Sequence, residues 1–396
     1  MKFKKLTLNI HLWLGLASGL VVLIVGLTGC FLALQDEIEV YSKPWLFVKH
    51  QNTVQLSASA LTAKLNAKLK AENDTLKAKV TSVQYPGPGR SASIRYSTGP
   101  KKTFRAYINP YTGQIIKNGK QKDDFFGFME HGHRFLWLPM EIGRPIQGSM
   151  ILAFLVLMIT GIVLWWPKRW TKNARKKSLA LDFKVSPKRL NYNLHNVLGF
   201  YMTFVMLFIV ITGLCMSMKW FHSGVYWLTS GGKQLKEFKA PLSDTAKITA
   251  EVPFQITHVD SLWFAHKKQY PAEAGFSFNF PSEKKSAFVE VINPAPETSY
   301  RREFRYYDRY TMQDISSKSA RSGTYSQASF ADKIRKMNVD IHMGVVGGIG
   351  TKILAFLASL FSATLPVTGF IIWWGKRKKK NNPKVRRRHV REPIPA

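Results

Sequence analysis

Four stretches of the 396-residue chain are long and apolar enough to cross a hydrocarbon core, which takes roughly 20 residues as a helix. They cover about 10–34, 147–166, 195–218 and 349–374, each with few or no internal charges. Two long polar segments, 36–146 and 220–345, lie between them. The chain therefore reads as a membrane α-helical bundle of four transmembrane helices carrying two small α+β domains.

Charge gives these helices a direction. The formal net charge of +34 raises the question of nucleic acid, but the basic residues form no reading helix. Many flank the apolar stretches instead. Lys2, Lys4 and Lys5 precede the first; Lys168, Arg169, Lys172, Arg175, Lys176 and Lys177 follow the second; Lys376, Arg377 and the basic tail follow the fourth. Loops rich in Lys and Arg stay on the cytoplasmic side. The resulting order is a cytoplasmic start and first helix (1–35), an outer domain (36–146), the second helix (147–166) and a basic cytoplasmic loop (167–194). The third helix (195–219), a second outer domain (220–345), the fourth helix (346–375) and a basic cytoplasmic tail (376–396) follow. The expected partner of the basic flanks is anionic lipid, with no nucleic acid.

Cys30 and Cys215 are the two cysteines, too few for a disulfide framework or a thiolate cage. Leu27-Thr28-Gly29-Cys30 has the form of a lipoprotein signal box. The same helix pattern recurs deep inside the chain, where no signal can be, so the first stretch is read as a retained helix.

That recurrence sets the architecture. His11-Leu12-Trp13-Leu14-Gly15 returns as His195-Asn196-Val197-Leu198-Gly199, and in each copy a Thr-Gly pair starts 17 residues after the His, at Thr28 and Thr212. Thr160-Gly161 precedes Trp165-Trp166, and Thr368-Gly369 precedes Trp373-Trp374 at the same spacing, each followed by basic residues. Thr and Gly inside such helices suit close packing, and the Trp pairs suit the membrane interface. The chain thus reads as a tandem parallel repeat of a helix–domain–helix unit, with the copies related by an axis along the membrane normal. In the polar segments, a helix is expected at 58–71 and strands at 103–109, 275–280, 287–292 and 303–307. Asn109-Pro110-Tyr111-Thr112-Gly113 marks a tight turn. Its counterpart, Asp308-Arg309-Tyr310-Thr311-Met312, has Met in place of Gly and is expected to turn differently.

The repeat gives the histidines meaning. His11 and His195 are equivalent at the cytoplasmic ends of the first and third helices. His133 lies 27 residues before Thr160 and His342 lies 26 before Thr368, both on the outer side. Ionisable groups at membrane depth are costly and mark function. Two facing imidazoles can supply both axial ligands of a haem iron. Small residues stand nearby: Gly15 and Gly199 inside, Gly132, Gly344, Gly347 and Gly348 outside. Polar helix contacts and a simple metal-ion site are the competing readings, although no carboxylate or thiolate recurs beside the pairs. His131 and His222 are spare outer candidates. His50, His258, His266 and His389 have no repeat partner and read as surface residues.

Together, the two His-x-x-Leu-Gly starts, the four Thr-Gly pairs and the Trp-Trp-plus-basic exits resemble the PepSY-associated transmembrane family of bacterial iron-regulated membrane proteins. Residues 109–115 look like the end of a PepSY domain. The family includes ferric-siderophore reductases of the bacterial inner membrane. The resemblance implies two b-type haems, held here by His11, His195, His133 and His342, and two periplasmic PepSY-like domains. It also implies electron flow from a cytoplasmic donor, flavin or quinol, to a periplasmic Fe(III) chelate such as a ferric siderophore. The family's usual Leu-His before the second helix is Gly132-His133 here, with His131 close by. The alternatives are a non-enzymatic PepSY protein that binds peptides or regulates a protease, and a transport accessory, for which a helix broken near Pro366 would speak.

Overall fold

The computed structural model describes residues 2–72, 78–99, 102–120, 124–245, 256–318 and 323–381, with side chains up to residue 377. His389 and most of the basic tail lie outside the described residues. The chain forms two compact units: Met1–Ala33, Phe126–Met218 and the segment from Gly350 onward make one, Leu34–Phe125 and Lys219–Ile349 the other.

The first unit is helical. It contains α1 (Lys2–Ala33), nearly all of α4 (Phe125–Phe135), α5 (Met140–Trp165), α6 (Lys172–Leu179), α7 (Pro187–Asn193), α8 (Gly199–Ser217) and most of α12 (Gly348–Asn381). A π-helical turn, Leu194–Leu198, joins α7 to α8. Among the described residues four helices are long and apolar enough to cross a membrane: Lys2–Ala33, Met140–Trp165, Pro187–Ser217 and Gly348–Arg377. They overlap the four stretches read from sequence, and the chain is a multi-pass membrane protein. Large apolar side chains point outward from them, Leu20 being 69%, Ile159 59% and Phe208 63% exposed. In water that would be unfavourable; against lipid tails it is neutral. Helix contacts use small residues. A Cβ on Gly26 would come within 2.9 Å of Ala363 Cβ, so α1 and α12 approach closely there. Helix α12 runs unbroken through Pro366, so the broken helix that would favour a transporter is absent from its described length.

The second unit is α+β. It holds α2 (Gln35–Ser42), α3 (Ala58–Glu72), α9 (Lys219–Thr229), α10 (Thr257–Gln269) and α11 (Phe330–His342). Its strands are β1 (Lys79–Tyr85), β2 (Ala92–Ser97), β3 (Thr103–Ile108), β4 (Ile115–Lys120), β5 (Gly275–Asn279), β6 (Phe288–Asn293) and β7 (Glu303–Tyr307). The expectation of two small α+β domains is corrected here. The strands form one seven-stranded sheet, ordered β4-β3-β2-β1-β5-β6-β7. Strand β1 from the first polar segment pairs antiparallel with β5 from the second, Val83 opposite Phe278 and Tyr85 opposite Phe276. Two separate sheets would each leave a bare edge of N–H and C=O groups; pairing the edges satisfies both.

The core is shared as well. Leu61, Leu65 and Leu69 form a helical stripe on α3, and Val259 and Trp263 do the same on α10. Both lie on one face of the sheet, where Trp263 stacks on Tyr85 at 4.8 Å. Asp260 of α10 accepts from the Ser59 backbone N–H of α3 at 3.0 Å and also binds its hydroxyl.

The turn expected to differ does not. Gly113 N–H donates to Asn109 O at 2.8 Å, and Met312 N–H donates to Asp308 O at 2.9 Å. Asn109 Oδ1 accepts from Tyr111 N at 2.9 Å, and Asp308 Oδ1 accepts from Tyr310 N at 2.9 Å. Gly113 has φ +75° and Met312 φ +56°. A non-glycine residue in this left-handed region costs about 1–2 kcal/mol. The side-chain bonds from Asp308 hold the turn, and Met312 packs against the sheet core.

Because the sheet is one body, Phe278→Ala should destabilise both of its halves. Phe278 is fully buried at the seam, beside Tyr85 and Phe288. The expected cost is about 3–5 kcal/mol. Amide exchange should accelerate in β2 and β3 as well as in β6 and β7; acceleration confined to β6 and β7 would mean two independent domains.

Candidate histidine site in the membrane unit

Thr160, Thr368 and Thr28, each followed by a glycine, seat a histidine. His11 Nδ1 on α1 lies 2.9 Å from Thr160 Oγ1 on α5. His195 Nδ1, in the π-helical turn, lies 2.9 Å from Thr368 Oγ1 on α12. His133 Nδ1 on α4 lies 3.2 Å from Thr28 Oγ1 and 3.0 Å from Val25 O on α1. The glycine after each threonine is the floor of the seat. A Cβ there would lie 3.5 Å from His11 Cε1 at Gly161, 3.2 Å from His195 Cε1 at Gly369 and 3.2 Å from His133 Cε1 at Gly29. These bare Cα positions let the ring edges lie against the helix backbone.

The threonine bonds decide the tautomer. A hydroxyl has one proton to give. Thr160 is placed to give its proton to Val156 O at 2.9 Å, Thr368 to Thr364 O at 3.0 Å and Thr28 to Ile24 O at 2.7 Å. Each hydroxyl is then an acceptor toward its histidine, so Nδ1 carries the ring proton. His133 makes the case most directly, since the Val25 carbonyl can only accept. The lone pair of each ring is therefore on Nε2, the nitrogen a metal would take. A hydrogen bond on the other ring nitrogen is the usual way proteins orient a ligating histidine.

His11 and His195 face each other, with ring centroids 6.5 Å apart and planes at 89°. They line a cavity of about 450 Å³, within the usual range of roughly 300–1,000 Å³ for small-molecule sites. Gly15, Gly161, Gly199 and Gly369 shape its walls, and Tyr192 and Lys376 also line it. A haem iron would be held here by His11 and His195 through their Nε2 lone pairs. Those lone pairs and the mostly apolar walls of the cavity fit that group.

The other candidates are placed differently. His131 is exposed, its ring edge against Phe135 at 5.4 Å, while its neighbour-but-one His133 turns onto α1. A Cβ on Gly132 between them would collide with Trp137, at 2.3 Å. His342 ends α11, in the α+β unit. His222 lies on α9, its pKa lowered by burial and then by the Arg335 charge. His50 and His258 are exposed, as expected. The surface reading of His266 is overturned. It is buried on α10, with Nδ1 2.9 Å from Glu290 Oε1 and Nε2 3.3 Å from Arg305 Nη1. Glu290, fully buried, also accepts from Tyr307 OH at 3.0 Å. Burial first, then the Glu290 charge, holds the Tyr307 hydroxyl well above its ordinary pKa. Arg305 is half-buried in the same network, whereas Arg301 is exposed. Cys30 and Cys215 are both buried free thiols, and Cys30 Sγ donates to Phe356 O at 3.7 Å.

The threonines are what reading the sequence missed, having been taken for packing residues. The available signal was their recurrence as Thr-Gly in every apolar stretch. Compared with curated proteins, the chain matches none. The family model for the PepSY-associated TM region matches residues 8–376, a span that takes in the histidine seats and the sheet alike, and the chain belongs to that family.

Proposed function

We propose that the protein is a dihaem reductase of the bacterial inner membrane. It would take electrons from a cytoplasmic or quinol donor and deliver them to a periplasmic ferric chelate such as an Fe(III)-siderophore. The observation that carries the reading is the His11/His195 pair, its rings 6.5 Å apart and each Nδ1 held 2.9 Å from a threonine hydroxyl. His11 and His195 would hold the inner haem. His133, seated in the same way on Thr28, supports an outer site, and the sequence repeat assigns His342 as its partner. The matching turns at Gly113 and Met312 support the tandem repeat, and the charge pattern supports cytoplasmic termini with the sheet in the periplasm. When bound, haem iron supplies one-electron exchange between ferric and ferrous states.

The chain's own work is positional. Thr160 and Thr368 hold the Nδ1 protons and fix the ring planes. Gly15, Gly161, Gly199 and Gly369 leave room beside the rings, and the surrounding apolar side chains exclude water. The ferric substrate gains one electron; hard oxygen chelators hold Fe(II) less firmly than Fe(III), so reduction aids release of the iron.

A spectrum of purified protein, expressed with haem available, should show b-type haem. Its absence would overturn the reading in favour of a PepSY protein without redox chemistry. Given haem, His11→Ala or His195→Ala should remove one centre, and His133→Ala or His342→Ala the other. Loss of both centres together, or of neither, would contradict the pairing.

The threonine seat gives a finer prediction. Thr160→Val keeps the shape but removes the acceptor for His11 Nδ1–H. Loss of such an outer hydrogen bond costs roughly 10–100-fold in metal-site affinity or activity. The inner centre should bind haem more weakly and titrate at a higher midpoint potential, because the less basic imidazole stabilises ferric iron less. Thr160→Ser should restore both. An unchanged potential in Thr160→Val would mean that the seat is only packing.

A further inference from the structure

The sheet has a second face, opposite α3 and α10, and in its first half that face is basic. Ile94 and Tyr96 of β2 point into the core, so Arg95 between them points away. Arg95 pairs directly with Arg105 of β3. Like charges placed opposite each other across strands repel and are normally avoided. Lys117 of β4 and Lys79 of β1 share the same face by register with Tyr107 and Ser97. Strands β1 to β4 contain no Asp or Glu.

The arginines are also under-bonded. The Nε atoms of both Arg95 and Arg105 are buried and have no hydrogen-bond partner. Buried polar atoms in native proteins are nearly always paired, so two orphans side by side need a reason. Beyond Arg105 the next strand offers Gly119, around which a Cβ would meet nothing within 4 Å. Space, two guanidinium forks and no competing carboxylate on these strands make a receptor for planar oxyanions, which arginine binds through paired N–H groups.

We infer that the Arg95/Arg105 pair, on the sheet face opposite α3 and α10, is a binding site for a small carboxylate or phosphate anion. Tyr107 and Ser93, paired across β2 and β3 on the same face, place two further hydroxyls in the adjacent row. The pKa of Arg95 is lowered, by burial first and then by the Arg105 charge, which is the cost a bound anion would remove. The site stands on the sheet alone and does not depend on haem.

Calorimetric titration of the full-length protein in detergent, with iron-free citrate in one arm and inorganic phosphate in the other, tests it. At least one of the two should bind, weakening as salt rises. In the double variant Arg95→Gln/Arg105→Gln that binding should weaken roughly tenfold or more. Arg301→Gln, which lowers the net charge elsewhere, should bind as the native chain does. The double variant's melting temperature without ligand should be unchanged or higher, because a repulsive pair is gone; this separates lost binding from lost folding. The arm that binds tighter identifies the ligand as carboxylate or phosphate. Failure of the native protein to bind either anion, or equal binding by the double variant, would overturn the inference.

Discussion

A threonine hydroxyl within an apolar helix gives its proton to a carbonyl one turn earlier and keeps its lone pairs. In Thr160, Thr368 and Thr28 those lone pairs face a histidine from another helix. In hydrocarbon there is no water to replace the bond, so a displaced imidazole would leave an unsatisfied N–H, which is costly. The bond therefore fixes three things together: which helices meet, which way each ring turns, and which nitrogen keeps its lone pair. The following glycine completes the seat by letting the ring edge reach the backbone. The cavity between His11 and His195 follows from two such seats facing each other.

Outside the apolar helices, strand edges play the comparable role. Each polar segment brings strands whose outermost edge is open, and β1 and β5 close those edges on one another. Ser59 and Asp260 clasp the two helices that cover the joint sheet. Neither half then has a core of its own. Tyr85 stacks on Trp263 and touches Phe278, so residues of one half complete the packing of the other.

Periodicity and charge made the spans legible, since twenty apolar residues admit few alternatives. The strands at 103–109, 275–280, 287–292 and 303–307 and the helix at 58–71 were legible for similar reasons, their patterns being local. What failed was non-local or compensated. Nothing in the sequence of β1 states that its free edge will meet β5. The Met312 turn was expected to differ because glycine propensity is a local rule, whereas the Asp308 side-chain bonds hold the same turn with Met in place of Gly. His266 looked exposed because a lone histidine on a polar helix gives no sign of a buried Glu290 waiting on β6. His11 and His195 were found through repetition, but their threonine partners were misread because Thr-Gly is also the ordinary vocabulary of helix packing.

The two halves of the sheet treat charge in opposite ways, and the contrast bears on what each is for. In the second half the arginine points inward and is answered: Arg305 donates to Tyr270 OH at 2.9 Å, and Tyr270 in turn donates to Glu303 at 2.6 Å. With His266, Glu290 and Tyr307 beside it, this is a polar network in which each member has partners, an arrangement that stiffens a fold. In the first half Arg95 and Arg105 point outward and are not answered by any acid on their own four strands. Stability alone favours the first arrangement and disfavours the second. The half built on β5 to β7 thus answers Arg305 with hydrogen bonds, while the half built on β1 to β4 keeps a like-charged pair whose Nε atoms are not answered.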